Sequence, residues 1–266
     1  MATVTLQYRE QSVAVGRVFD RAFSTVRHHP LATLTIAVLF TGLPGTTAEY
    51  FLGRLPWTFA VMTIGSFRLP GTLALAIARW FVALLFGAVA QGALTRPALA
   101  QSEGRKAHLG KVFGAALRVL LPLMILGAIF ALTVIIGTSL LIVPGVLIYV
   151  FWAVAPSAEA HERDGVFLAL SRSQELSEGA RWKVMGVLLV LLALSFAFAV
   201  LLGLFMFVML SMGWAGSNFA IVSLVLRGLV GAIVNVVWGA VLASLYVELV
   251  QWKEGGSVEA LERVFV

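Results

Sequence analysis

The sequence contains no cysteine and few charged side chains. Without cysteine, the chain cannot form disulfides, thiolate nucleophiles or cysteine-ligated metal sites. Charged residues occupy only 12% of the 266 positions, whereas soluble domains average about a quarter. Apolar residues make up 60% of the chain, and the mean hydropathy is +0.97. Because a water-soluble fold of this composition would expose large apolar patches, the composition predicts an integral membrane protein.

Catalytic and metal-binding patterns are also missing. The chain has no H-E-x-x-H pattern, no G-x-S-x-G nucleophile elbow and no phosphate-binding G-x-x-x-x-G-K-[ST] loop. No aspartate lies inside a long apolar segment, which excludes proteolysis by paired intramembrane aspartates. None of the histidines forms a ligand pair at helical spacing with a nearby acid: His28, His29, His108 and His161. We therefore predict that the protein is not an enzyme and binds no metal or cofactor.

The apolar residues are concentrated in six long segments. A helix needs about 20 mostly apolar residues to cross about 30 Å of hydrocarbon. The segments that meet this length are 31–52, 71–95, 117–137, 138–156, 184–212 and 220–250. A shorter apolar stretch, 55–67, is expected to lie in the outer membrane interface with Trp57 at head-group depth. The predicted fold is an all-α, polytopic membrane bundle of about six transmembrane helices.

Three regions follow from this pattern: an amphipathic surface helix within residues 1–30, a six-span domain over 31–250, and a short cytoplasmic tail over 251–266. The tail residues Val258, Leu261 and Phe265 are expected to form one more short surface helix. Glu248, at the end of the sixth span, is expected at the membrane interface.

Lysine and arginine are unevenly distributed between the two sides of the predicted bundle. With six spans, both termini share a side with the connections 96–116 and 157–183. That side carries fifteen basic residues, and the other side with the membrane interior carries four, Arg54, Arg68, Arg79 and Arg227. Since cytoplasmic loops carry an excess of Lys and Arg, we expect both termini to be cytoplasmic.

The net charge of +6 has a related interpretation. The basic residues alternate with apolar spans, so we expect them to face anionic lipid head groups at the cytoplasmic surface rather than nucleic acid. The predicted location is the cytoplasmic membrane of a bacterium, and the predicted partners are membrane lipids. Protein partners are left open.

Amphipathic segments precede several of the spans. The apolar residues from Val15 to Val26 recur at i, i+3, i+4, i+7, i+8 and i+11, which predicts a helix lying flat on the membrane with Phe23 on its apolar side. A similar helix is predicted before the fifth span, with Asp164 as N-cap, Phe167 on its apolar stripe and Gly179 as the stop. A shorter one is predicted over 109–117.

A few polar residues are expected at membrane depth. Glu49 is the only acid near the outer side, and Arg79 and Arg227 lie in or near the outer ends of spans two and six. Charges in a bilayer are costly unless paired or hydrated. One hypothesis is therefore an outward-facing cavity lined by these three residues that holds an anionic head group. The alternative is that they pair structurally or extend to the interface.

Two asparagines, Asn218 and Asn235, lie in or near the sixth span. We expect them to form hydrogen bonds between helices, which is a structural role.

The segment 141–152 (LIVPGVLIYVFW) leads into a second pattern, Leu170-Ser171-Arg172-Ser173 followed by Leu176, Gly179 and Trp182. Together these resemble the membrane domain found attached to some bacterial glycerophosphodiester phosphodiesterases, and its stand-alone relatives. The resemblance implies a multi-span protein of a bacterial cytoplasmic membrane. It does not imply phosphodiesterase activity, because in the fused proteins that chemistry belongs to a separate soluble barrel with metal-binding acids and histidines.

Two functions remain open from the sequence. The first is a non-enzymatic membrane protein that binds or organises lipids or partner proteins. The second is a transporter or lipid-translocating protein, favoured by Pro-Gly pairs such as Pro44-Gly45 in the spans. A polar cavity reaching mid-membrane would favour the second, and a solid bundle the first.

Overall fold

The structure, a computed structural model, describes residues 14–28, 30–52, 54, 61–64, 67–102, 120–214 and 216–264. The expectations for Trp57, for the surface helix over 109–117 and for Phe265 lie outside these residues. Within some helices the side chains are also outside the description, Glu49 and Asn218 among them.

The described chain is helical apart from one β-hairpin. The helices are α1 (Val15–His28), α2 (Pro30–Ala37), α3 (Leu43–Leu52), α4 (Gly71–Ser102), α5 (Leu120–Leu140), α6 (Ile142–Trp152), α7 (Ala155–Glu162), α8 (Val166–Ser177), α9 (Arg181–Ser211) and α10 (Ser217–Val264). A π-helical turn, Val38–Gly42, joins α2 to α3. The hairpin pairs β1 (Val61–Ile64) antiparallel with β2 (Phe67–Pro70).

The hairpin is short beside the helices, and the described chain is predominantly helical, as the all-α expectation requires. Val61 lies opposite Pro70, and Ile64 lies opposite Phe67. Pairing of the two strands gives hydrogen-bond partners to backbone N–H and C=O groups that a short apolar segment would otherwise leave unpaired.

Five helical segments in the described residues are long and apolar enough to cross a membrane. They are Leu75–Thr95, Leu120–Leu140, Val143–Glu162, Arg181–Ser211 and Ile221–Glu254. Each overlaps one of the spans predicted from the sequence. The third of them crosses the boundary between α6 and α7, so the predicted fourth span is built from two helices.

The predicted first span has a different form. Helix α1 meets the segment Thr33–Leu52 at a bend of 97°, and this pair makes a sixth candidate only if it counts as one broken span. The π-helical turn ends two residues before Pro44, which cannot donate a backbone hydrogen bond. Five candidates, or six with the bent pair, leave the six-span count a prediction.

The core lies where α4, α5, α7 and α10 meet. Leu94, Leu126 and Leu245 are fully buried there. Helix α7 is short and polar, yet every residue from Ala155 to Ala160 is buried. Gln91 makes this possible, because its Nε2 donates to the carbonyl of Ala153 at 2.8 Å and to Oγ of Ser157 at 3.1 Å.

Helix α1 forms as predicted, and most of its predicted apolar stripe packs against the core next to α10. Its buried residues are Val18, Ala22 and Thr25, while Phe23 is 55% exposed. Thr25 tolerates burial because its hydroxyl donates to the carbonyl of Arg21 at 2.9 Å. Phe23 therefore does not pack against the protein core, and its expected contact with the membrane stays a prediction.

Ion pairs hold α1 on α10. Nη2 of Arg17 lies 2.7 Å from Oε1 of Glu248, and Nη2 of Arg21 lies 3.5 Å from Oε2 of the same carboxylate. The Glu248 side chain is only 7% exposed. The two arginines of α1 therefore cover Glu248, and its expected place at the membrane interface stays a prediction.

Helix α8 corrects the predicted cap. Gly165, with φ of +103°, is its N-cap residue, so Asp164 is not the cap. Leu170 and Leu176 of the predicted stripe are buried, and Phe167 is 77% exposed. Gly179 does follow the helix end with φ of +83°, which favours glycine. The predicted tail helix is also absent as a separate element, since α10 continues to Val264.

Candidate functional site

Two arginines that are far apart in sequence line one cavity. Arg79 is on α4 and Arg227 is on α10, and both border a space of about 200 Å³. Val82, Phe86 and Ala232 supply apolar walls. The structure therefore brings together two of the three charged residues singled out in the sequence. We call this space the arginine cavity.

The third residue, Glu49, lies on α3, and its side chain is outside the described part of the structure. The neighbouring residues Gly45, Thr46 and Ala48 of the same helix do border the arginine cavity. The expectation that Glu49 lies near one of the arginines stays a prediction.

The wall formed by α3 begins in the π-helical turn. Thr41 and Gly42 of that turn border the cavity, followed by Gly45 and Thr46. The hydroxyl of Thr46 donates to the carbonyl of Gly42 at 2.8 Å, which fixes its side chain against the helix. Single π-helical turns occur frequently at functional sites. Here the turn places small residues opposite the two arginines.

Close packing of α3 on α10 requires glycine at one position. A methyl group at Gly228 would overlap Cγ2 of Thr46, whereas a methyl group at Gly231 would meet nothing within 4 Å. Both glycines border the arginine cavity. Gly228 therefore lets the two helices approach, and Gly231 contributes open space.

A larger cavity adjoins the first. It has a volume of about 560 Å³ and is bordered by α4, α5, α6, α7, α9 and α10. Ala83 and Asn235 belong to the walls of both spaces. Most of its remaining walls are aliphatic or aromatic, such as Phe130 and Leu188. We call this space the apolar cavity. Its volume is within the range of small-molecule sites, about 300–1,000 Å³.

Several polar groups in the walls of the apolar cavity already hydrogen-bond within the protein. Nε1 of Trp238 donates to Oγ of Ser195 at 2.6 Å, and this hydroxyl donates to the carbonyl of Leu191 at 2.8 Å. Nδ2 of Asn235 donates to the carbonyl of Gly231 at 2.9 Å. This bond lies within α10, so the expected bond from Asn235 to a neighbouring helix was wrong.

Two further polar side chains in the same walls follow this pattern. Thr138 donates to the carbonyl of Val134 at 2.7 Å. Gln91 is engaged with α7. Aromatic rings complete the surface, with the centroid of Tyr149 5.1 Å from that of Phe130 and 6.1 Å from that of Trp238. The cavity therefore presents mainly hydrocarbon and ring surfaces.

A separate charged cluster lies around α8. Arg172 is 3.0 Å from Glu162 and is also paired with Glu254, and the hydroxyl of Tyr246 donates to Glu162 at 2.9 Å. Burial acts to lower the pKa of Arg172, but the hydrogen bonds and charges of the two glutamates raise it above its ordinary value. This cluster joins α7, α8 and α10 and has a structural explanation.

Sequence reasoning identified the arginines but not the apolar cavity. The signal for the arginines was charge inside an apolar segment. The cavity walls come from residues spread over six helices, and no local spacing distinguishes a wall residue such as Leu188 from an ordinary core leucine. Asn235 was noted only as a structural residue, although it borders both spaces.

Comparisons with known protein families, with curated proteins and with solved structures found no significant match. In the part of the chain that the structure describes, no three His, Asp or Glu side chains are grouped so that they could hold a metal ion.

Proposed function

We propose that the chain is a non-enzymatic, multi-span protein of a bacterial cytoplasmic membrane that binds an anionic lipid head group in the arginine cavity. The observation that carries the proposal is the pair Arg79 and Arg227, which border one cavity from two apolar helices. A guanidinium offers a planar fork of donors that matches phosphate oxygens. A phosphate-bearing head group is the ligand that this chemistry favours.

The surroundings of the two arginines support a lipid rather than a soluble anion. Both residues lie within segments apolar enough to cross a membrane. Charged side chains in such segments are costly and usually mark a functional site or a paired structural group. The distribution of Lys and Arg predicts that this end of the bundle faces outward, so the ligand would come from the outer leaflet.

The family resemblance remains part of the proposal, and its motif has a structural explanation. Oγ of Ser173 donates to the carbonyl of Phe151 at 2.7 Å, which ties α8 to α6. Gly179 lies against Trp252, where an added methyl group would be 3.1 Å from the ring. These contacts support the interpretation that the motif positions a helix and carries no chemistry.

The test is mass spectrometry of the lipids retained after purification in mild detergent. Arg79→Ala and Arg227→Ala should each reduce retention of anionic phospholipid by roughly tenfold, because a hydrogen bond to a charged group contributes about 1.5–3 kcal/mol. Arg54→Ala is the matched control, since Arg54 stacks on Tyr50 at 3.9 Å and does not border the cavity. Equal lipid profiles for all four proteins would refute the proposal and favour a scaffold for partner proteins.

A second candidate function is movement of lipid between leaflets. It is favoured by the π-helical turn in the cavity wall and by the contact between the two cavities at Ala83 and Asn235. Vesicles containing the purified protein and a fluorescent anionic lipid would test it through the rate at which inner-leaflet label becomes accessible to an impermeant quencher. A rate equal to that of protein-free vesicles would exclude this function.

A further inference from the structure

We infer that the apolar cavity receives one hydrocarbon chain of the ligand whose anionic head group lies in the arginine cavity. The ligand class is therefore an anionic amphiphile, and a soluble phosphate would occupy only half of the site. This inference rests on the proposed function and adds the apolar part of the ligand.

Adjacency of the two spaces is the first argument. Ala83 on α4 and Asn235 on α10 border both cavities, so the two spaces lie side by side against the same two helices. The charged groups border the smaller space, and the larger space of about 560 Å³ lies next to it. This polarity matches a head group joined to an alkyl chain.

The chemistry of the larger space is the second argument. Trp238, Ser195, Thr138 and Gln91 all direct hydrogen bonds into the protein. A sugar or another hydrated solute would lose hydrogen bonds to water there without regaining them, which is costly. A hydrocarbon chain loses none. The walls therefore select an apolar occupant.

The form of helix α9 is the third argument. Its buried residues are Val184, Val187, Leu188 and Leu191, and the described side chains from 192 to 211 include none that is buried. Leu189 and Leu192 border the apolar cavity yet are 57% and 59% exposed. The cavity is therefore accessible from the side along α9, where a lipid chain would enter from the bilayer.

The test uses phosphatidylglycerol with a photoreactive diazirine at the methyl end of one acyl chain. The purified full chain is irradiated with it in zwitterionic detergent, and labelled residues are mapped by peptide mass spectrometry. Phe130 is the key position, because it borders the cavity and is only 5% exposed. Labelling of Phe130 or its neighbour Tyr149 is the expected result. Phosphatidylcholine with the same modified chain should label these residues about tenfold less.

A cavity-filling variant sharpens the test. Gly87 borders the cavity, and a Cβ there meets only Oδ1 of Asn235 at 3.8 Å, so Gly87→Leu directs its side chain into the space. We expect about tenfold less labelling of Phe130. Gly203→Leu is the matched control, since Gly203 lies on the exposed part of α9 with nothing within 4 Å of an added Cβ.

A second pair of variants applies if Gly87→Leu does not fold. Val146 borders the cavity from α6 and is 41% exposed, whereas Val143 on the same helix is 67% exposed and does not border it. Val146→Phe should reduce labelling of Phe130, and Val143→Phe should not. Equal labelling in both members of a folded pair would overturn the inference.

The outcomes separate the two proposals. If lipid retention depends on the arginines but Phe130 and Tyr149 are not labelled, the chain lies outside the cavity and only the present inference fails. If both modified lipids label the cavity equally, regardless of Arg79→Ala, the cavity merely admits bilayer chains and the inference also fails. If neither retention nor labelling is selective, both proposals fail.

Discussion

The two ends of the helix bundle are packed differently. The packed end consists of α1, α7, α8, residues 88–98 of α4 and residues 232–254 of α10. It contains most of the fully buried side chains, such as Leu94 and Leu245. The open end consists of residues 38–48, 79–86 of α4, 192–211 of α9 and 217–231 of α10. Among its described side chains only Phe40 and Thr41 are buried, and it contains the arginine cavity.

This contrast indicates how the molecule divides stability and function. At the packed end, Glu248 is enclosed and paired with Arg17 and Arg21. At the open end, small residues and exposed apolar helices leave room for a ligand. Lipid is as apolar as leucine, so a helix can leave its neighbours there without exposing apolar surface to water. A membrane protein can therefore keep an open site next to a rigid base.

The largest expected effect comes from one helix that crosses both ends. Leu191 is fully buried on α9, and Leu201 on the same helix is 64% exposed. Leu191→Ala should lower the free energy of unfolding by about 2–3 kcal/mol, because it leaves a cavity. Leu201→Ala should change it by less than about 0.5 kcal/mol. Thermal unfolding in detergent measures both. Equal losses would contradict the division of α9 into packed and open halves.

A second comparison concerns charge at the packed end. Glu248→Ala leaves Arg17 and Arg21 without their shared carboxylate, and we expect a loss of about 2 kcal/mol. This loss of unfolding free energy is smaller than for a fully buried ion pair, because Arg17 is 53% exposed and its charge is screened by solvent. In the same Glu248→Ala variant, hydrogen exchange of the backbone amides of α1 should increase. Glu178→Ala, at an exposed acid after α8, is the control and should have little effect. Unchanged protection of α1 in Glu248→Ala would refute the role of this ion pair.

The smallest expected effect concerns helix contact at the open end. Gly228→Ala should destabilise the protein by about 1–2 kcal/mol, because the added methyl group overlaps Cγ2 of Thr46. Gly231→Ala should be neutral or slightly stabilising, since nothing lies within 4 Å and alanine favours the helix. Combining Gly228→Ala with Thr46→Ser, which removes the methyl group but retains the hydroxyl, should restore stability. A failure of this rescue in thermal unfolding would show that another contact is responsible.

The helices could be predicted from sequence to a large extent. Long apolar segments such as 120–140 and 181–211 are helices because a buried or lipid-facing backbone must hydrogen-bond to itself. Gly179 could be predicted as a stop because a left-handed residue after a helix favours glycine. The predicted fourth span ends at Pro156, which lies in the first turn of α7 and cannot donate a backbone hydrogen bond. The sequence could not show that Gln91 of α4 donates to the carbonyl of Ala153 at this break.

Amphipathic periodicity predicted helix α1 but not its contacts. Thr25 is buried and Phe23 is exposed because the helix packs on α10, where Glu248 binds its arginines. For the candidate site, sequence placed Arg79 and Arg227 inside apolar segments. It could not show that residues 148 positions apart border one cavity.

Composition and pattern by themselves determined that the chain forms long apolar helices, because each such segment satisfies its own backbone and its apolar side chains favour lipid. They also determined that charges inside those segments are few and specific, since each is costly there. Only the tertiary structure decided that Arg79 and Arg227 share a cavity and that an apolar space adjoins it. The reason is physical: packing between helices depends on which faces meet, and small local differences such as Gly228 beside Thr46 set how closely they approach.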